Sequence, residues 1–137
     1  MWVLDTCVVI DVLEDDPEFG HASARLLQRL LPEGLIISPV SFVELAPAFA
    51  GDLAEQKRFL DLAGISWQEL SALADTEAAH AAWSRTVLAR RRDRVNKRPV
   101  ADLLIGGFAV GRQGLVTRNP DDFVRWFPEL KIRVPRC

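Results

Sequence analysis

The sequence predicts an α/β domain built on a mostly parallel sheet. Three observations lead there. Short apolar runs of strand length recur, as in Trp2-Val3-Leu4, Leu35-Ile36-Ile37 and Leu115-Val116-Thr117. Runs this short suit strands buried on both faces, which is the setting of parallel strands. Segments of helical period lie between them, so strand and helix alternate. Two of the strands also run into a cap-plus-proline helix start, Ser38-Pro39 and Asn119-Pro120.

The first strand, Trp2 to Leu4, ends abruptly on Asp5. A carboxylate at the C-terminal end of a central strand sits where open α/β sheets place their ligands. Thr6 can cap a helix running through Leu13, and Asp5 could itself do no more than cap it. Pro17 to Leu31 reads as a helix with Leu26, Leu27, Leu30 and Leu31 on its apolar face. Pro32-Glu33-Gly34 stops it. After Leu35-Ile36-Ile37, the Ser38-Pro39 start leads into a helix carrying Val40, Phe42, Val43, Glu44 and Leu45, which Pro47 kinks or ends.

Gly51 to Ala63 reads as a further helix closed by Gly64, and Ile65-Ser66-Trp67 as a short third strand. Asp75-Thr76-Glu77 opens a long helix with Ala79, Ala82, Trp83, Thr86 and Val87 as its buried stripe. Its C-terminal part is a basic run, Arg90 to Arg98, in which Asp93 is the one acid. Pro99 breaks that helix and starts another, Val100 to Val110, apolar except for Asp102. Leu115 to Thr117, a short helix over Asp121 to Phe127 and a last strand over Lys131 to Val134 complete the chain.

The 137 residues make one domain, 1–137, large enough for a proper core. Hydrophobic content of 49% and charged content of 26% are ordinary for a globular protein. A net charge of −2 does not announce a nucleic-acid binder, although it hides the local basic run. No signal peptide is expected, because Asp5 falls where an apolar core would begin. No apolar run is long enough to span a membrane. Cys7 and Cys137 do not suggest a disulfide framework. The expected location is cytoplasmic.

Three acids stand in apolar sequence: Asp5, Glu44 and Asp102. A buried charge is costly unless it is paired or holds a metal. Each has a plainer reading. Asp102 could be a first-turn acid after Pro99. Glu44 could close a capping box with Ser41, although Ser38-Pro39 is the better helix start and places Glu44 too far inside. Asn119 could cap, with Asp121 and Asp122 complementing the helix dipole. Together, however, the acids lie near strand ends or early in the following helices, where they could converge at one sheet edge. Hard oxygen donors suit Mg2+ or Mn2+ rather than zinc. His21 and His80 show no ligand spacing, and no phosphate-binding glycine loop or nucleophile elbow is present. A carboxylate-bound divalent cation beside a basic run points to phosphodiester chemistry.

Here the sequence resembles the PIN-domain ribonucleases, and among them the VapC-type toxins of bacterial toxin–antitoxin pairs. The resemblance spans the chain. It rests on Val3-Leu4-Asp5-Thr6, on Ile37 to Leu45, on Ala101-Asp102-Leu103-Leu104-Ile105 and on Leu115 to Phe123. It implies a three-layer PIN-like fold, a central mostly parallel sheet flanked by helices. It implies an endoribonuclease dependent on Mg2+ or Mn2+, the toxin of a type II pair, with Asp5, Glu44 and Asp102 as acidic and metal-binding centre. Thr6 and Thr117 match hydroxyl positions near that centre, and are expected to face substrate. The family usually has Asn where this chain has Cys7. Where many members carry a fourth acid it has Asn119, so Asn119 and Asp121 join the expected catalytic set. Implied partners are RNA, a small antitoxin and a second copy of the chain, with DNA reached only through the antitoxin and no membrane.

Arg92 and Arg94 of the basic run are candidate phosphate contacts, against the plainer reading of a solvated helix end. The alternative function is a catalytically inactive PIN-like module that binds RNA or protein without cutting. A phosphatase using Asp5 as nucleophile commonly needs a second aspartate two residues on, where this chain has Cys7. Phe19, Leu26, Leu27, Leu30, Leu31, Phe42 and Phe49 give the N-terminal half a surplus of apolar residues, from which a homodimer is expected.

Overall fold

A computed structural model describes residues 1–89 and 99–136. Among these residues five strands form one sheet: β1 (Trp2–Leu4), β2 (Leu35–Ile36), β3 (Ile65–Ser66), β4 (Gly114–Val116) and β5 (Ile132–Arg133). Their order is β3-β2-β1-β4-β5, and every pairing is parallel. The α/β class and the parallel sheet are therefore as the sequence predicts.

Among the described residues seven helices connect and cover the strands: α1 (Thr6–Leu13), α2 (Gly20–Leu30), α3 (Pro39–Glu44), α4 (Leu53–Leu62), α5 (Leu73–Ala89), α6 (Val100–Val110) and α7 (Pro120–Trp126). β1 shows why the molecule has three layers. Successive strand residues point to opposite faces. Trp2 and Leu4 enter a core with Val8 and Val9 of α1, Leu26, Leu27 and Leu30 of α2 and Leu60 of α4. Val3 enters a second core with Ala79 and Ala82 of α5, Leu103, Ile105 and Phe108 of α6 and Phe123 of α7. Val3 and Leu4 are fully buried, each worth roughly 1.5–3 kcal/mol of apolar burial. A charge at either position would break the sheet at its centre.

Several boundaries moved for identifiable reasons. The second helix begins at Gly20, because Asp16 accepts the backbone N–H groups of Glu18 and Phe19 in a turn. Leu31 leaves the apolar face: a short 3-10 turn, Leu31–Glu33, swings it out to 46% exposure. Pro47 ends α3 as expected, in a 3-10 turn over Ala46–Phe49. The long helix begins at Leu73, two residues before Asp75. Its stripe narrows to Ala79 and Ala82, with Trp83 packed at the margin and Val87 exposed. The apolar surplus of the N-terminal half is mostly core: Leu26, Leu27 and Leu30 are buried, and Phe42 and Phe49 pack against them.

Gly106 and Gly107, about one turn after Asp102 on α6, let other parts of the chain come close. A Cβ at Gly106 would strike the Phe127 ring, and one at Gly107 the Asp75 carbonyl and Ala79.

Candidate active site

β2 and β4 flank β1, and the chain leaves β1 towards β2 before returning beyond it to β4. The strand order reverses at β1 and β4, and the crevice outside the strand C-termini there is the favoured ligand site of such sheets. Asp5 stands at that point. Its backbone N–H donates to the Val116 carbonyl at 2.9 Å. It occupies the N-cap position of α1, but its side chain makes no capping bond. Instead Oδ2 accepts from the Thr117 hydroxyl at 2.7 Å and from Cys7 Sγ at 3.5 Å. Oδ1 has no hydrogen-bond partner among the described residues.

Glu44 is brought in from the other side of β1. Ser38 is the N-cap of α3 and accepts the Ser41 backbone N–H at 3.2 Å, so the capping-box reading of Ser41 and Glu44 falls away. Glu44 is the last residue of α3 and is exposed. Thr6 Oγ1 lies 2.7 Å from Glu44 Oε1 and 2.9 Å from Ser41 Oγ. A hydroxyl has one proton, so Thr6 donates to the carboxylate and accepts from Ser41. Ser38 Oγ lies 3.5 Å behind Ser41. A buried line of hydroxyls thus ends on the Glu44 carboxylate. Thr6 does not cap α1, as the sequence allowed; its hydroxyl is spent on this line.

Asp102 comes from the first turn of α6. It accepts no hydrogen bond and forms no ion pair among the described residues. Burial, and then the carboxylates of Asp5, Glu44 and Asp122, push its carboxyl from 3.8 up to about 6. A first-turn acid that only complemented a helix dipole would be held down rather than raised. Burial and the adjacent Asp5 carboxylate push the Cys7 thiol up to about 11, so it is neutral at pH 7 and donates.

Asp5, Thr6, Cys7, Glu44, Asp102, Asn119, Asp122 and Phe123 line one cleft of about 220 Å³. The three acids singled out in the sequence are therefore brought together, with Asn119. The fourth acid on the lining is Asp122, ion-paired to Arg125, and Asp121 is exposed and off the lining. Thr117 is fully buried, and its hydroxyl donates to Asp5 Oδ2. Arg92 and Arg94 lie outside the described residues. Sequence reasoning missed Ser41 as a support for Glu44. Its signal was present, since a second serine inside a helix that already has its cap needs another partner.

The donor set fits a hard divalent cation: carboxylate and amide oxygens, like charges raising Asp102, and Asp5 Oδ1 unbonded. Among the described residues no three His, Cys, Asp or Glu side chains stand close enough to hold an ion directly.

A parallel α/β domain with carboxylates gathered at its switch point defines a class of acidic-cleft proteins. Within that class the chain belongs to the PIN domain family, whose model matches residues 2–126. Among solved structures, a chain of VapBC2 from Rickettsia felis, bound to a DNA fragment from its promoter, is similar at a TM-score of 0.70. The identity is 18%, and 97% of each chain is covered. A chain of VapBC-1 from nontypeable Haemophilus influenzae has a TM-score of 0.69 and 22% identity, over 97% of this chain and 96% of that one. At these identities the likeness speaks for the fold. No curated protein matches the chain significantly.

Proposed function

We propose that this PIN domain is an endoribonuclease dependent on Mg2+ or Mn2+, the toxin of a type II toxin–antitoxin pair. The observation that carries the reading is the convergence of Asp5, Glu44 and Asp102 in one cleft at the switch point of the sheet. A divalent cation bound there supplies Lewis acidity, activating water and neutralising charge on the leaving oxygen. Asp5 and Glu44 are the oriented ligands, each fixed by a buried hydroxyl donor. Asp102, raised to about 6, holds a proton in mildly acidic solution and releases it near neutrality. Asn119 offers an amide oxygen beside them, and the position of Asp122 on the cleft lining supports it over Asp121 as the acid that completes the set.

The similarity to chains from VapBC assemblies supports an antitoxin as partner. Val43 beside Glu44 and Leu53 on α4 are exposed, 71% and 52%, and give apolar surface for that partner or a second copy. No helix among the described residues is long and apolar enough to cross a membrane.

The test is cleavage of single-stranded RNA with Mg2+ or Mn2+, set beside Asp5→Asn and Asp102→Asn. The nuclease reading expects cutting that chelator abolishes and both variants lose. RNA binding without cutting under either ion would mark the inactive binding module instead.

A further inference from the structure

Arg118 lies between Thr117, which holds Asp5, and Asn119, which lines the cleft. Its guanidinium crosses to α1. Nη1 lies 3.4 Å from Asp11 Oδ1, and Cζ sits 4.7 Å over the Phe19 ring. Asp11 follows the cleft residue Cys7 by four positions on α1, which puts the two on one helix face about 5–6 Å apart. The guanidinium is thus about one helical turn from the cleft wall.

Two features set this apart from a pair built only to neutralise a buried acid. Such a pair closes the guanidinium fork on both carboxylate oxygens, at about 2.7–2.9 Å. Here a single long contact is made, and Asp11 Oδ2 is buried with no hydrogen-bond partner. Meanwhile the Arg118 side chain is 30% exposed and makes no hydrogen bond among the described residues. Its plane is set by Phe19 and Asp11, while its planar donors stay open. The chemistry of the cleft says what they could meet. Among the described residues its lining includes four carboxylates and no lysine or arginine. A polyanion approaching it is repelled unless a cation at the rim offsets the charge.

Resting on the nuclease reading, we infer that Arg118 is a substrate-binding residue that receives a phosphate of the RNA strand flanking the one to be cut. Asp11 and Phe19 are its positioning residues. An RNA phosphate matches the open fork, and a single such contact carries no sequence preference.

The experiment separates this role from simple support of Asp11. In an Asp102→Asn background, which does not cut, binding of a single-stranded oligoribonucleotide is measured across salt concentrations. Asp11→Asn with Arg118→Gln replaces the ion pair by two neutral amides and keeps the thermal midpoint near that of the background. It is expected to bind about tenfold more weakly at low salt, with a log–log salt slope shallower by about 0.7. Arg118→Lys keeps the charge and the slope but loses the fork, and binds severalfold more weakly. Background affinity and slope in the double variant, or background affinity in the lysine variant, would overturn the inference. The parent's cleavage assay is read separately. RNA binding that depends on Arg118 without any cutting sinks only the nuclease reading, and cutting with a salt slope indifferent to Arg118 sinks only this inference.

Discussion

Two groups of carboxylates border α6 and have opposite surroundings. At its C-terminal end, Asp75 is buried and has two partners on Oδ2. It accepts the Ala72 N–H at 2.9 Å and pairs with Arg112 at 3.6 Å. The same arginine reaches Glu69 at 3.0 Å, donates to the Phe108 carbonyl at 2.6 Å and lies over the Phe108 ring. At the N-terminal end, Asp102 has no such partner among the described residues and faces other acids, which with burial raise it to about 6. Both acids sit in the first turn of a helix, but only Asp102 stands in a wholly apolar run of sequence. A served carboxylate is part of the scaffold, whereas an unserved one among like charges is costly to the fold and marks a site.

The largest expected effect separates the two ends. Asp102→Asn should lower RNA cleavage by on the order of 100-fold or more, a loss typical of removing one group that stabilises transition-state charge. The same change should raise the thermal midpoint, because it removes a repelled charge. Asp75→Asn should do the reverse, leaving cleavage close to parental while costing roughly 2 kcal/mol in a denaturant melt. If both variants moved activity and stability in the same direction, the contrast would collapse.

Next comes Thr117→Val. It removes the donor to Asp5 in a fully buried place, at a cost of about 1–3 kcal/mol. Asp5 loses its orientation, so cleavage should fall about tenfold with KM little changed. A rise confined to KM would return Thr117 to direct substrate contact.

The pH dependence sharpens the same contrast. Between 3.8 and about 6 the folded state binds more protons at Asp102 than the unfolded chain does. Unfolding free energy therefore falls as pH rises through that window. Divalent-ion binding needs the ionised carboxylate and should strengthen over the same window. Calorimetric titration with Mg2+ and thermal melts, run from pH 4 to 7, should move in opposite directions. In Asp102→Asn this contribution should vanish from both.

Smallest is Ser41→Ala. It interrupts the hydroxyl line one step behind Thr6 and leaves the Thr6-to-Glu44 bond in place. A severalfold drop in cleavage and about 1 kcal/mol of stability are expected. Thr6→Val, which removes the bond to Glu44 itself, should cost more activity than Ser41→Ala.

Much of this was legible in the sequence because it depends on local chemistry. Short apolar runs have few other uses than buried strands, and Ser38-Pro39 is an unambiguous helix start, so Asp5 and Glu44 could be placed near strand ends. Asp102 stood out because its neighbours are apolar. What stayed hidden depends on direction in space. Asp121 and Asp122 are adjacent and alike in sequence, yet successive helix positions differ by about 100°, and Asp122 is the one on the cleft lining. Leu31 continues the leucine pattern, but the 3-10 turn at Pro32 rotates it outward. The roles of Thr6, Ser41 and Thr117 as supports are long-range pairings, which periodicity cannot express.

The glycine pair of α6 turns these distances into a mechanical matter. Gly106 bears on the Phe127 ring and Gly107 on the backbone of α5 at Asp75, so two hard stops fix how deep the helix sits. Asp102 lies on the same rigid rod, one turn from the first stop. A methyl group added at either stop, remote from any reacting atom, would wedge the rod outward and carry the carboxylate with it. A displacement of about 1 Å can cost a site roughly 100-fold in rate. The depth gauge of this cleft is thus the absence of two side chains about one turn further along the helix, and a survey of inactivating mutations should find them there as well as among the acids.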